Sequence, residues 1–365
     1  MADNELTRRG FFGAAGFTTA ALSLRANLFA ATSLTLGPKQ TIYEDSPFFL
    51  DQPATTISDG KGGFYYYHCR GAAGPNHKTH GALSNPFNPI VWEKNFASLW
   101  NTNGFKPGSK YRWWSPWIMN IYEVTDSEWI CFCHIEKSPN TSWGPSDSVE
   151  NFSAGIGYSS DRGESWTFCG ETVCLWNDPT GKNIGGAAVA KIRDDGSDYF
   201  HVYYNDINSG GKTGTAVARA EVNEVIAAAR DKSVSPWKKY YNGSWTEKGW
   251  AGAATILIEG TDTHGDMQYN RSLGKYLFAG DREAGDQAQI VLYESTDGIE
   301  WREAVVVDSQ PKKVVDWMAY QWFAGAGSVD GYEIDGNFYV FWMRPGGREG
   351  IKNGRLFRRE VTLAG

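Results

Sequence analysis

Residues Thr263–Trp301, THGDMQYNRSLGKYLFAGDREAGDQAQIVLYESTDGIEW, read as one complete antiparallel sheet. A first strand covers Asp266 to Tyr269 and a turn follows at Asn270 to Lys275. Then come the strand YLFAG, a polar loop GDREAGDQ, the strand QIVLYES and the tight turn STDGIEW. Aromatic and β-branched side chains fill the strands because they pack well on a pleated surface. Gly, Asn, Asp and Ser take the joints, which need positive φ or side-chain-to-backbone bonds.

Counterparts of this unit run along the chain. FFLDQPATTISDGKGGFYYYHCRG places a strand from Asp51, a turn at Asp59–Gly63 and an aromatic return strand, with a weak third strand around GALSNPFNPIVWEKN. WWSPWIMNIYEVTDSEWICFCHIEKS and FSAGIGYSSDRGESWTFCGETVC form the second unit. GGAAVAKIRDDGSDYFHVYYNDI opens the third, which continues through GTAVARAEV into the one helical stretch, Glu221 to Arg230. FAGAGSVDGYEIDGNFYVFWMRP, turning on Asp335-Gly336, and GRLFRREVTL make the fifth. Units starting near Asp51, Pro116, Gly186, Asp266 and Gly325 recur at roughly 60 to 80 residues, too long for WD40 or kelch repeats and suited to four-stranded blades with loops. The fold expected is all-β, a five-bladed β-propeller of four-stranded antiparallel blades, closed by an early strand near Thr41 pairing in the blade that ends at Leu363. A β-sandwich with an appended barrel does not account for five hairpins in one order.

The composition agrees. The 365 residues include 42 Gly, 16 Trp, 18 Tyr and 19 Phe, which supply turns and large flat side chains. Aromatic rings fill the space between sheets; they also stack on the C–H faces of sugars while their polar tips bond hydroxyls. The net charge of −7 and the lack of a basic run in the body of the chain argue against nucleic acid as a partner.

At the amino terminus, Thr7-Arg8-Arg9-Gly10-Phe11-Phe12 precedes the small-residue apolar run GAAGFTTAALSL. This matches a twin-arginine export signal, with a run too short for a permanent membrane anchor and a cleavage region near Leu28–Ala31. Residues 1–36 are expected to be signal and linker, and 37–365 a single propeller domain, periplasmic or secreted. That route carries folded proteins, so the fold should not depend on disulfides. Five cysteines without a C-x-x-C pattern argue against a zinc site or a dense disulfide framework, and leave room for one bridge between the strands of Cys131 and Cys169.

Two turns share a signature. Ser159–Trp166, SSDRGESW, fits the Asp-box S-x-D-x-G-x-[ST]-W, and Ser295–Trp301, STDGIEW, is its one-residue-shorter form. In both, the Asp should bond turn amides, the Gly take positive φ and the Trp pack under the hairpin. Asp-boxes resemble those of sialidases and other sugar-active propellers, where they are structural and lie away from the catalytic face. Asp51-Gln52-Pro53 and Trp114-Ser115-Pro116-Trp117, each leading into an aromatic hairpin, and Trp237–Trp245, WKKYYNGSW, resemble stretches of the five-bladed family 43-type glycoside hydrolases, the arabinanase- and xylosidase-like group. In that family a blade-one Asp acts as base, an Asp opening blade three tunes pKa, and a nearby Glu is the acid. Asp51 fits the first role. The blade-three opening here, Ile184-Gly185-Gly186-Ala187, has no carboxylate, and Trp117 follows Pro116, so the triad is not carried over whole.

The candidate catalytic residues are Asp51, Asp266, Glu136 and His264. Asp51 starts an inner strand. His264 and Asp266 start another and, two apart on a strand, share a side, where a carboxylate beside an imidazole suits base chemistry or sugar positioning. Glu136, in a loop after ICFCHI, is the candidate proton donor. Asp281 and Arg282, in the polar loop of the opening stretch, are candidates for substrate binding, with Arg282 suited to clamp an acidic group. Trp114, Trp117 and Trp322, together with Trp113, Tyr320 and Gln321, are candidate sugar platforms, each also suited to blade packing. His80 is a candidate binding residue, while His68 and His134 read as surface imidazoles. No P-loop, dinucleotide fingerprint or H-E-x-x-H pattern occurs, and no cofactor is expected; converging Asp side chains leave room for a structural calcium. The function expected is an exported glycoside hydrolase working by paired carboxylates on a polysaccharide or oligosaccharide. The alternatives are a polysaccharide lyase that neutralises a uronate with Arg282, and a sugar-binding propeller without catalysis.

Overall fold

The computed structural model describes residues 34–48, 50–69, 76–106, 112–138, 151–175, 185–207, 211–315, 318–328, 331–344 and 354–363. The twin-arginine segment lies outside them. The described residues form five mainly antiparallel sheets, the blades of a propeller. Blade one is Thr55–Ser58, Phe64–Cys69, Asn76–Gly81 and Ile90–Lys94. Blade two is Trp113–Glu123, Trp129–Ser138, Asn151–Ser159 and Trp166–Val173. Blade three is Ala188–Asp194, Ser197–Ile207, Thr213–Glu221 and Lys238–Tyr241, with Ser244–Lys248 added outside. Blade four is Thr261–Asn270, Lys275–Ala284, Gln287–Ser295 and Arg302–Pro311. Blade five takes Ala319–Ala324, Phe338–Arg344 and Arg355–Leu363 from the end of the chain and Leu34–Leu36 from its beginning. Leu34 pairs with Leu363 and Thr41 with Phe357, so the early strands close the ring as expected. The last three residues assigned to the linker therefore belong to the fold.

Strand alternation builds the core. In Trp129–Ser138, Ile130 and Phe132 face blade three while Cys131, Cys133 and Ile135 face blade one. Each gap between blades is filled this way, and the aromatic abundance is spent largely here. Trp166, Trp322 and Trp342 are at most 1% exposed. A ring burying roughly 150–250 Å² contributes about 4–6 kcal/mol. The helix Val222–Arg230 turns Val222, Val225 and Ala229 into the gap between blades two and three.

Both Asp-box turns have the expected mechanics. Asp161 Oδ1 accepts from the Ser165 amide at 2.9 Å, and Asp297 Oδ1 accepts from the Ile299 and Glu300 amides at 2.8 Å. Gly163 and Gly298 have φ of 77° and 75°. Both turns follow third strands, at the rim opposite the one where inner strands begin.

Several local expectations are corrected. GDREAGDQ is not a loop: strands run through Ala284 and resume at Gln287, because Gly285, at φ 61°, lets two residues turn the chain. Glu136 likewise lies within a strand. The first strand of blade one begins at Thr55, after Asp51. Blade five begins at Ala319, ahead of Gly325, and the segment before Asp335-Gly336 instead pairs in parallel with Tyr269–Asn270 of blade four. The Cys131–Cys169 bridge is not formed: all five cysteines are free thiols, and Cys131 Sγ lies 3.6 Å from Cys133 Sγ.

Candidate active site

Inner strands begin, and second strands end, at one rim of the central channel. Two inner strands are distorted as they start there. In blade four the ladder passes from Asp262–Asp281 to Asp266–Ala279, so Thr263, His264 and Gly265 bulge opposite the single residue Gly280. Bulges re-aim side chains, and this one is stitched to blade three. The Thr263 amide donates to Asn205 Oδ1 at 2.9 Å, Thr263 Oγ1 donates to the Gly185 carbonyl at 2.6 Å, and Asn205 Nδ2 donates to the Thr261 carbonyl at 2.8 Å. A Cβ on Gly185 would lie 2.5 Å from His264 Cε1, and one on Gly186 would collide with the Thr263 carbonyl. The blade-three opening thus lacks a carboxylate for a steric reason: the blade-four bulge fills that space. In blade five the ladder passes from Ala319–Met343 to Trp322–Phe341, one residue out of step, with Tyr320 in the left-handed region at φ 59°. A non-glycine residue there costs about 1–3 kcal/mol, which the surrounding packing must hold.

These distortions gather titratable groups from four blades. The Tyr320 hydroxyl donates to Asp51 Oδ1 at 2.7 Å. Asp262 Oδ1 accepts from His264 Nδ1 at 2.7 Å and from the His264 amide at 2.9 Å. The His264 ring stands edge-on to His134, with centroids 5.2 Å apart, and to Tyr320 at 6.1 Å. His134 Nε2 lies 3.3 Å from Glu136 Oε1, while Glu136 Oε2 is buried with no hydrogen-bond partner among the described residues. Gln321 Nε2 donates to Asp281 Oδ1 at 3.2 Å. Among the described residues, no group of three or more His, Cys, Asp and Glu side chains is arranged to hold a metal ion.

The electrostatics separate the roles. Burial lifts the Asp51 carboxyl to about 6, with the Glu136 charge adding and the Tyr320 hydroxyl and His264 opposing. Burial works against a charged His264, but the Asp262 carboxylate outweighs it and, with Asp281 and Glu136, raises the imidazole to about 9. Burial also pushes Asp262 up, yet the His264 charge and bonds hold it below the usual carboxylate range. Asp281, buried beside the Asp262 charge, is raised well above that range. Burial drives His134 down despite the opposing Glu136. At neutral pH the rim therefore holds an ionised Asp51, an imidazolium–carboxylate pair at His264–Asp262, and a neutral His134. That is one group able to take a proton beside one able to give it.

Of the residues singled out from sequence, Asp51, Glu136, His264 and Asp281 come together here. Asp266 lies along the channel, 6% exposed, bonded by the Met267 amide at 2.7 Å, the Phe323 amide at 3.0 Å and Gln268 Nε2 at 3.2 Å. Trp117 and Trp322 are 1% and 0% exposed and offer no face to a sugar. Trp114 packs among Phe96, Phe105 and Phe168. Arg282 follows Asp281 on the opposite sheet face, donating to Gln289 Oε1 at 2.9 Å and pairing with Glu303 at 2.8 Å. His80 pairs with Asp59 at 2.8 Å, at the far end of the inner strand from Asp51. Asp262 escaped the sequence reading although it stands one residue before the opening stretch; its signal was the Asp-x-His spacing, which puts both side chains on one side of a strand. His134, read as surface, is buried at 2% exposure.

No family model matches the sequence, and no curated protein sequence does. Solved structures do match. The catalytic domain of a family 62 α-L-arabinofuranosidase from Coprinopsis cinerea is 11% identical over 91% of this chain and 98% of its own, with a TM-score of 0.50. A family 117 glycoside hydrolase from Zobellia galactanivorans is 12% identical over 91% of each chain, with a TM-score of 0.50. A family 43 endo-arabinanase from Bacillus licheniformis is 12% identical over 87% of this chain and 96% of its own, at a TM-score of 0.44. The family resemblance read from the sequence holds at the level of architecture: the chain is a five-bladed β-propeller with the fold of propeller glycoside hydrolases.

Proposed function

We propose that the channel rim is the active site of a glycoside hydrolase in which Asp51 is the general base and His264 the general acid. The observation that carries this reading is the meeting, at one rim, of Asp51 held by the Tyr320 hydroxyl and His264 held by Asp262, with the Tyr320 and His264 rings 6.1 Å apart; burial raises the carboxyl to about 6 and Asp262 raises the imidazole to about 9. Asp51 takes a proton from water as its oxygen attacks the anomeric carbon. The His264 ring gives its proton to the departing glycosidic oxygen, and two hydroxyl-bearing products leave. Tyr320 fixes one oxygen of Asp51, and Asp262 fixes the orientation of the imidazole.

The paired-carboxylate form of this chemistry makes Glu136 the donor, and it rests on the buried, unpartnered Glu136 Oε2. Aryl glycosides separate the two. Loss of the true donor is forgiven when the leaving group is a dinitrophenol, so rescue of His264→Gln but not Glu136→Gln supports the imidazolium, and the reverse pattern transfers the role. New reducing ends without ultraviolet-absorbing product mark hydrolysis; unsaturated product marks a lyase, a reading weakened by the commitment of Arg282 to Glu303. A non-catalytic sugar binder would show neither product. Export through the twin-arginine route is part of the proposal, supported by the sequence pattern and by five free cysteines. A reporter fused after residue 33 that reaches the periplasm only with Arg8 and Arg9 intact tests it.

A further inference from the structure

Trp250 is 41% exposed, and the other large exposed hydrophobics among the described residues, Ile90, Val91, Ile207 and Val314, are aliphatic. Its turn is firmly held. The Gly249 amide donates to the Trp237 carbonyl at 2.9 Å, the Cys174 amide donates to the Gly249 carbonyl at 3.2 Å, and the Ala251 amide meets Cys174 Sγ at 3.1 Å. Ala251 has a left-handed φ of 58°, and a Cβ on Gly249 would press to 2.6 Å from the Thr172 carbonyl. Beneath the indole, Lys137 Nζ lies 5.6 Å from a ring centroid, and that lysine is bound to Glu171. The turn therefore holds the indole in one fixed place with part of the ring open to solvent.

Topology places this ring. Trp129–Ser138 ends at the channel rim, and Trp166–Val173, two antiparallel steps away, runs in the same direction. Glu136–Lys137 and Thr172–Cys174 therefore share one end of blade two; Trp250 stands over Lys137, and its neighbours Gly249 and Ala251 bond Cys174. The indole stands on the face that carries Asp51 and His264, displaced outward from them across blade two.

We infer that Trp250 is a distal platform on which a sugar ring of an extended neutral oligosaccharide stacks while another unit of the same chain occupies the channel rim. The inference rests on the hydrolase reading of the rim and adds to it a substrate of several units laid outward over blade two. An indole held from beneath keeps one face for the C–H face of a pyranose or furanose ring, which needs no charge complement.

Calorimetric titration of full-length Asp51→Asn protein with cello-, xylo- and arabino-oligosaccharides of two and six units tests this. For at least one series, the hexamer should bind more tightly than the dimer. Adding Trp250→Ala should reduce the hexamer's advantage roughly fivefold to tenfold, and Trp250→Phe should restore most of it. An unchanged ratio in Trp250→Ala overturns the platform. Equal weakening of both lengths also overturns it, by assigning Trp250 to local structure. If no series shows a length preference, the platform is wrong, and turnover of aryl glycosides by the parent protein then decides separately whether the hydrolase reading survives.

Discussion

Asp266 and Asp51 are both carboxylates on the inner side of the ring, and burial lifts both, to about 7 and about 6. Their surroundings differ in kind. Asp266 receives two backbone amides and the side-chain amides of Gln268 and Asn120, which bind blades two and five to blade four through one side chain. Asp51 receives one tyrosine hydroxyl and feels the charges of Glu136 and His264. A raised pKa thus marks confinement, and the partners tell whether confinement serves the fold or the chemistry.

The strongest way to break this contrast is Asp51→Asn, which should lower turnover by roughly a hundredfold to ten-thousandfold with thermal unfolding little changed. Steady-state kinetics and a melting curve on the same preparation check it; comparable activity would remove Asp51 from the chemistry. His264→Gln should abolish the alkaline limb of the pH profile. In the parent, kcat/KM should rise through about 6 as Asp51 ionises and fall through about 9 as His264 loses its proton. Glu136→Gln should move the acid limb to lower pH, because the Glu136 charge helps hold Asp51 up.

Gly185→Ala should reduce activity about tenfold, by the loss of placement that small displacements of a catalytic group bring. Its Cβ would stand 2.5 Å from His264 Cε1 and 2.7 Å from Asn205 Oδ1, closer than carbon tolerates, so the imidazole and the amide that pins its bulge must shift. Asp266→Asn should leave turnover per folded molecule close to the parent's and cost about 1–3 kcal/mol of stability, since one amide donor then faces another. The parent's stability should also fall as pH rises from about 4 toward 7, because the folded state holds the Asp266 proton more tightly than the unfolded chain does. Denaturant titrations across that range should show a flatter curve for the variant. Arg282→Ala, the smallest effect, should cost about 0–1 kcal/mol and leave activity alone, since its ion pair is partly exposed.

The ring was legible because turn chemistry is local. The Asp59-Gly60 and Asp195-Gly196 pairs, the two Asp-boxes and alternating aromatics mark hairpins, and they recur in order. The rim was half legible. Asp51, Glu136, His264 and Asp281 carry chemistry in their residue type, but which of them meet depends on bulges at Thr263–Gly265 and Tyr320, and register slips leave little trace in a strand's composition. Arg282 shows the cost: read as loop, it was free to reach a substrate, whereas one residue of alternation turns it to the other face. Trp117 and Trp322 show the converse, since an indole suits a sugar and an inter-blade gap equally well.

The closing strands also set a schedule. Thr362 donates to the Thr35 carbonyl across 327 residues of sequence, a contact that forms only after nearly the whole chain exists. Contacts so distant in sequence are slow to form and leave a sheet edge exposed until they do. A chain still being synthesised has an open ring with an unpaired last blade, vulnerable to aggregation and proteolysis, and it becomes a durable object only when its two ends meet.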